Sequence, residues 1–224
     1  MENEEEFSGP QPLTLEEARV LGCLIEKELT TPEYYPLTMN SLITACNQTT
    51  NRDPVLKLDE TMVWEAINGL KDRRYMLQLT QAGARSQKYK HTIESKFPRL
   101  TKPEIALLSV LLLRGQQTAG ELRQRTERQH GFLDIASVEH SLKKLIEYPE
   151  MPLAISIPAG GGRKAVTYAS LLCGPVDVNA TAANVSEETS SRARVSVDQE
   201  WKDRIERELT ELRAEVERLK GFLE

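Results

Sequence analysis

Residues 13–92 and 100–170 read as two copies of one pattern, and this internal repeat constrains the fold more than any other feature of the chain. Leu13-Thr14-Leu15-Glu16-Glu17 and Leu100-Thr101-Lys102-Pro103-Glu104 both spell a helix start. Each has a Thr that can cap, a Glu three residues on, and a Leu ahead of the cap to pack on the first turn. The helices that follow set Leu21, Leu24 and Ile25 in register with Leu108, Leu111 and Leu112. A second helix is predicted from Thr38 and from Thr118, with Leu42 matching Leu122. A third is predicted from Leu58-Asp59 and from Leu133-Asp134, the Asp serving as cap. There Val63, Ile67 and Leu70 align with Val138, Leu142 and Leu145 at i, i+4, i+7, a stripe that faces a core.

Both copies then change period. Residues 75–80 and 85–92 flank Ala82-Gly83, residues 153–157 and 164–169 flank Ala159-Gly160-Gly161-Gly162, and each set predicts a β-hairpin. Three helices followed by a hairpin is the order of a winged helix-turn-helix. The fold class is therefore mainly α with small β-hairpins (α+β): two tandem winged helix-turn-helix domains plus a C-terminal amphipathic or coiled-coil helix. The expected boundaries are a disordered acidic N-terminus over 1–12, domains at 13–99 and 100–172, a flexible linker over 173–198, and a heptad helix over 199–224. In that last helix Ile205, Leu209, Leu212, Val216, Leu219 and Leu223 form a heptad seam. They are the candidate contacts of a parallel homodimer, the alternative being a helix folded back on its own chain.

Composition matters here through its distribution. The net charge of −5 comes from the two ends, because residues 1–12 carry four Glu and no base while residues 71–99 carry eight bases against two acids. Winged helices meet DNA through the third helix and the hairpin. Lys71, Arg73, Arg74, Arg85, Lys88 and Lys90, with Arg163 and Lys164 at the second hairpin tip, are thus the candidates for contact with double-stranded DNA. The starts of the third helices argue against base readout: Asp59, Glu60 and Glu65 in one copy and Asp134 and Glu139 in the other supply carboxylates where a reader needs cations or amides. Two functions compete. One is a DNA-binding or DNA-associated regulator using the basic wing of the first domain. The other is an adaptor that binds protein partners through the winged-helix surfaces and C-terminal helix, without touching DNA.

The bland readings of the remaining features are stronger than the chemical ones. Arg123, Arg125 and Arg128 are expected on a solvated face, and Trp64 in the seam between the copies. Gly160-Gly161-Gly162-Arg163-Lys164 lacks the spacing of a phosphate loop. Cys23, Cys46 and Cys173 show neither disulfide nor zinc spacing, so they read as packed or incidental thiols. No nucleophile–base or paired-carboxylate arrangement stands out, so neither catalysis nor a cofactor is expected. No apolar run spans a bilayer and no signal pattern opens the chain, which predicts a cytoplasmic protein without a membrane partner.

The stretch "CNQTTNRDP", Cys46 to Pro54, connects the second and third helices of the first copy. Asn and Asp suit turns, but Asn47, Gln48, Asn51 and Arg52 exceed what a turn requires. They are expected to lock the turn against Tyr34-Tyr35-Pro36, the alternative being a surface that contacts a ligand. The run "LTLEEARVLGCLIEKELTTPEYYPLTMNSLITACNQTTNRDPV", then "LDETMVWEAINGLKDR" and "RLTKPEIALLSVLLLRGQQTAGELRQRTER", resembles the YceH-like family of uncharacterised bacterial proteins over about residues 13–172. The resemblance implies a tandem winged-helix fold in a bacterial cytoplasmic protein and brings no catalytic residues with it.

Overall fold

A computed structural model describes residues 11–80, 86–160 and 165–176. The C-terminal heptad seam (Ile205, Leu209, Leu212, Val216, Leu219, Leu223), Arg85, Arg163 and Lys164 lie outside the described residues.

The first repeat runs α1 (Leu15–Thr30), a 3-10 turn (Pro32–Tyr34), β1 (Leu37–Thr38), α2 (Met39–Cys46), α3 (Glu60–Asp72), β2 (Met76–Leu79) and β3 (Lys88–His91). A short α4 (Ile93–Lys96) leads into the second repeat: α5 (Lys102–Arg114), β4 (Gln117–Thr118), α6 (Ala119–Thr126), α7 (Ile135–Ile146), β5 (Ala154–Ile157) and β6 (Thr167–Ser170). The chain is thus mixed α and β, with small antiparallel sheets. The helices begin where the capping residues stand. The Thr14 N–H donates to Glu17 Oε2 at 2.7 Å and the Thr101 N–H to Glu104 Oε2 at 2.9 Å. Asp59 and Asp134 accept from the Met62 and Ser137 N–H groups.

The expected hairpins form, β2 with β3 and β5 with β6, but as parts of larger sheets. Each has three strands, in the order β1-β3-β2 and β4-β6-β5, so the last strand of each repeat is central. The added strands are two residues long and precede the second helices, pairing Leu37 with Tyr89 and Gln117 with Tyr168. A two-residue strand has no period to reveal it in a sequence.

One core runs through both repeats, and the described residues belong to one compact unit ending at Val176. Its centre is the contact of α1 with α5. Residues Ile105 to Leu113 are all buried, so α5 is an internal helix and not an amphipathic surface one. Gly22 makes the close approach possible: a Cβ there would sit 2.8 Å from Leu113 Cγ, while Ser109 Oγ donates to the Gly22 carbonyl at 3.2 Å. The ends are tied as well, the Leu13 N–H donating to the Leu172 carbonyl at 2.7 Å. Phe97 bridges the repeats by packing on Tyr75 and, edge-on at 5.5 Å, on Tyr148. Among the described residues no helix is long and apolar enough to cross a membrane, and no group of His, Cys, Asp and Glu could hold a metal ion.

Candidate functional site

The third helix of each repeat buries one stripe and exposes the opposite one. On α3 the buried side is Val63, Ala66, Ile67 and Leu70. The outward side carries Glu60, Met62, Trp64 and Glu65, with Met62 37% and Trp64 39% exposed. Trp64 therefore does not lie in the seam between the repeats, which α1 and α5 fill. It lines a shallow groove with Met39, Glu60 and Tyr89, and the Lys71 ammonium stands 5.9 Å from its ring centroid. On α7 the start is more apolar still: Leu133, just ahead of the Asp134 cap, is 86% exposed and Ile135 48%. The matched leucine of the first repeat, Leu58, is buried. The exposed Leu133 is thus a departure from the repeat that packing does not require. Both third helices open with carboxylates and large apolar groups, and the first basic side chains on α7, Lys143 and Lys144, come only in its last turn.

The basic candidates of the first repeat do not form one free cluster. Arg73 is spent inside the fold: it pairs with Glu17, and its Nη1 donates to the Gln11 and Pro12 carbonyls at 3.1 and 3.0 Å. Lys71 donates to Gln78 Oε1 at 3.0 Å. Arg74 is exposed in the left-handed region at φ 58°, in the tight turn between α3 and β2. Lys88 and Lys90 alternate with the buried Tyr89 and His91, so they share the outer face of the sheet with their cross-strand partners Leu79 and Leu77. Of the described candidates, only Arg74, Lys88 and Lys90 remain without a side-chain partner among the described residues.

The turn from Cys46 to Pro54 is a lock, though not against the expected partner. Arg52, buried with 5% of its surface exposed, forms a two-pronged pair with Glu26 on α1 (Nη1–Oε1 3.1 Å, Nη2–Oε2 2.6 Å). Its remaining donors reach the Ala45 and Asn51 carbonyls and Gln48 Oε1 at 3.1, 2.8 and 3.0 Å. Burial pushes the Glu26 carboxyl up, but the hydrogen bonds and charge of Arg52, then Lys27, outweigh it and hold it below the usual carboxylate range. Asn47 brackets Leu58, donating to its carbonyl at 2.8 Å and accepting from its N–H at 2.7 Å. That fixes where α3 begins. Arg19, also buried, donates to the Cys46 and Pro54 carbonyls from below. The turn also reaches the second repeat, where Arg114 Nη1 donates to Asn51 Oδ1 at 2.9 Å and the Asp53 N–H to the Leu113 carbonyl at 2.9 Å.

Tyr35, by contrast, uses its hydroxyl to accept from the His91 N–H at 2.7 Å, which anchors the 3-10 turn to the sheet. In the second repeat the job of Asn47 falls to Arg123, which donates to the Phe132 and Leu133 carbonyls at 3.3 and 3.0 Å. Arg125 is likewise engaged, with Gln117 Oε1 at 2.7 Å and Glu121 at 3.1 Å. Of the three arginines expected on a solvated face, only Arg128 makes no hydrogen bond or ion pair among the described residues. Sequence reading missed Glu26 and Arg19 as parts of the lock. Their one visible signal was charge on an otherwise apolar helix face. Cys23 and Cys46 are buried and Cys173 is exposed, all three as free thiols.

A family model described as "Protein of unknown function, DUF480" matches residues 13–163. Relatives similar to this chain include the UPF0502 protein of Geobacter sulfurreducens, 47% identical over 88% of both chains. Another is the UPF0502 protein of Pelobacter propionicus, 46% identical over 93% of both. A third, from Vibrio atlanticus, is 44% identical over 93% of this chain and 95% of its own. The chain belongs to this family of uncharacterised bacterial proteins.

Proposed function

We propose that the chain is a non-catalytic tandem winged-helix protein that recognises a protein partner through the outward faces of its third helices. The order of three helices and a three-stranded sheet, repeated twice, supports the winged-helix reading. The observation that carries the partner reading is the chemistry at the start of α3 and α7. Met62, Trp64, Leu133 and Ile135 are exposed there beside Glu60, Glu65 and Glu139. Exposed aromatic and aliphatic groups are the anchors of protein interfaces, and carboxylates around them repel phosphate. The complementary partner presents apolar side chains flanked by Lys or Arg.

A second reading keeps one observation of its own. Arg74, Lys88 and Lys90 are unspent, and the sheet of the first repeat could lay them along a DNA backbone. A fluorescence-anisotropy titration of the full chain against random duplex DNA, at low and at physiological salt, separates the two. The partner reading expects no saturable binding at either salt. Saturable binding that weakens with salt and disappears in the Lys88→Glu/Lys90→Glu variant would move the function to DNA.

A further inference from the structure

A separate cavity lies away from the third helices. It is a cleft of about 860 Å³ between the repeats, within the size range of small-molecule sites. One wall is the turn after α2, with Gln48, Thr49, Thr50 and Asn51; the other is the end of α5 and the end of α6 with its following turn. It shares no lining residue with the outward faces of α3 and α7.

The cleft is cationic. Among the described residues Lys27, Arg114, Arg125 and Arg128 line it against a single acid, Glu26, and Arg52 already holds that acid from within the fold. Helices α1, α2, α5 and α6 all end at this cleft, and each C-terminus contributes about half a negative charge. The field alone is therefore modest, and a bound anion would be held mainly by directed guanidinium bonds. Arg125 is engaged by Gln117 and Glu121, but Arg114 and Arg128 are underused. Arg114 makes one hydrogen bond among the described residues, to Asn51, and its buried Nε has no partner there. Burial and then the neighbouring Arg125 charge push its guanidinium down from its ordinary value, and the Asp53 and Glu121 carboxylates only partly offset them. Gln129, 6% exposed in the same wall, leaves its Oε1 without a partner among the described residues. Unpaired buried polar atoms are scarce in folded proteins and call for an explanation. Most of the remaining lining is hydroxyl and amide, including Thr30, Thr44, Thr49, Thr50 and Gln124, and Val110 and Leu113 are its apolar members. Among the described residues no aromatic ring lines the cleft, so none of them would stack a nucleobase there.

We infer that the cleft binds a small hydroxylated phosphate ester, such as a sugar phosphate. Arg114 and Arg128 take the phosphate in forked hydrogen bonds, and the threonine and amide groups take the hydroxyls. Bound there, such a ligand joins the helix-connecting turn of the first repeat to α6 of the second.

The test is a titration of the full chain followed by amide NMR at constant ionic strength, with inorganic phosphate, a hexose phosphate, the free hexose and a short DNA duplex as probes. The inference expects saturable shifts at Thr49, Thr50 and Gln129 with phosphate, tighter binding of the hexose phosphate, and no shift with the hexose alone. Arg128→Ala, a change at an exposed side chain that should leave the fold intact, is expected to weaken the hexose phosphate about tenfold or more, equivalent to about 1.4 kcal/mol. Shifts that never saturate, or an Arg128→Ala affinity equal to wild type, overturn it. Duplex DNA that shifts the same amides more strongly than the hexose phosphate also overturns it, since the phosphates would then belong to nucleic acid.

Discussion

Arg52 and Glu26 bear the heaviest local consequences of any pair of side chains in the turn. Two charges have been largely taken out of water, and each is tolerable chiefly because the other is there, with Lys27 a second partner of Glu26. Arg52→Ala leaves Glu26 facing an emptied pocket and frees the Ala45 and Asn51 carbonyls. It is expected to cost about 3–5 kcal/mol, read as a lower denaturant midpoint at unchanged slope. A loss under about 1 kcal/mol, the scale of a surface pair, would mean the pair is solvated. The same pair sets a pH dependence. The Glu26 carboxyl titrates lower in the folded chain than in the unfolded one, so its contribution is complete above the unfolded value of about 4.3 and is lost as pH falls through the folded value. Glu26→Gln should therefore start less stable at neutral pH and lose stability less steeply on acidification; an acid limb parallel to wild type contradicts this. Sequence showed that "CNQTTNRDP" carried more polarity than a turn requires. It could not show the partner, because Glu26 lies 26 residues from Arg52 and looks like any charged helix residue.

Among the elements, the crossing of α1 and α5 decides whether the two repeats share a core. Gly22 is needed there for space and not for backbone freedom, since Leu113 and Leu112 would meet any side chain. Gly22→Val is expected to cost about 1–3 kcal/mol through overpacking, and Ser109→Ala less, since only one hydrogen bond is lost. If thermal melts show Gly22→Val unchanged, the crossing is looser than described. Helix starts and core stripes were legible in the sequence because caps and 3.6-residue periods are local signals, and Thr14, Thr101, Asp59 and Asp134 all act as caps. What escaped was set by tertiary partners. The strands β1 and β4 exist only through pairing with Tyr89 and Tyr168, Arg73 is drawn to Glu17, and Trp64 is left outside a seam already filled by aliphatic side chains.

At the scale of the whole molecule, the continuous core and the Leu13–Leu172 and Asp53–Leu113 backbone links make the repeats one structural unit. Chemical unfolding followed by circular dichroism and by tryptophan fluorescence should therefore give coincident transitions; two separated steps would show repeats that fold independently. What that unit presents outward is less legible from sequence than what it buries. A period marks which side of α3 or α7 faces inward, but Leu58 and Leu133 occupy the same place in the repeat and only the structure separates the buried one from the exposed one. The partner-recognition reading rests on the exposed Leu133 together with Met62, Trp64 and Ile135. Its most direct test is site-specific photocrosslinking in living cells, with the photoreactive residue placed at Met62, at Leu133 and, as a control away from the third helices, at Thr49. The expected result is a discrete crosslinked protein at Met62 and Leu133, absent at Thr49 and lost when Glu65→Lys is added to the Met62 probe. Crosslinks to nucleic acid, or no crosslink at either third-helix position with the chain expressed and folded, would contradict it.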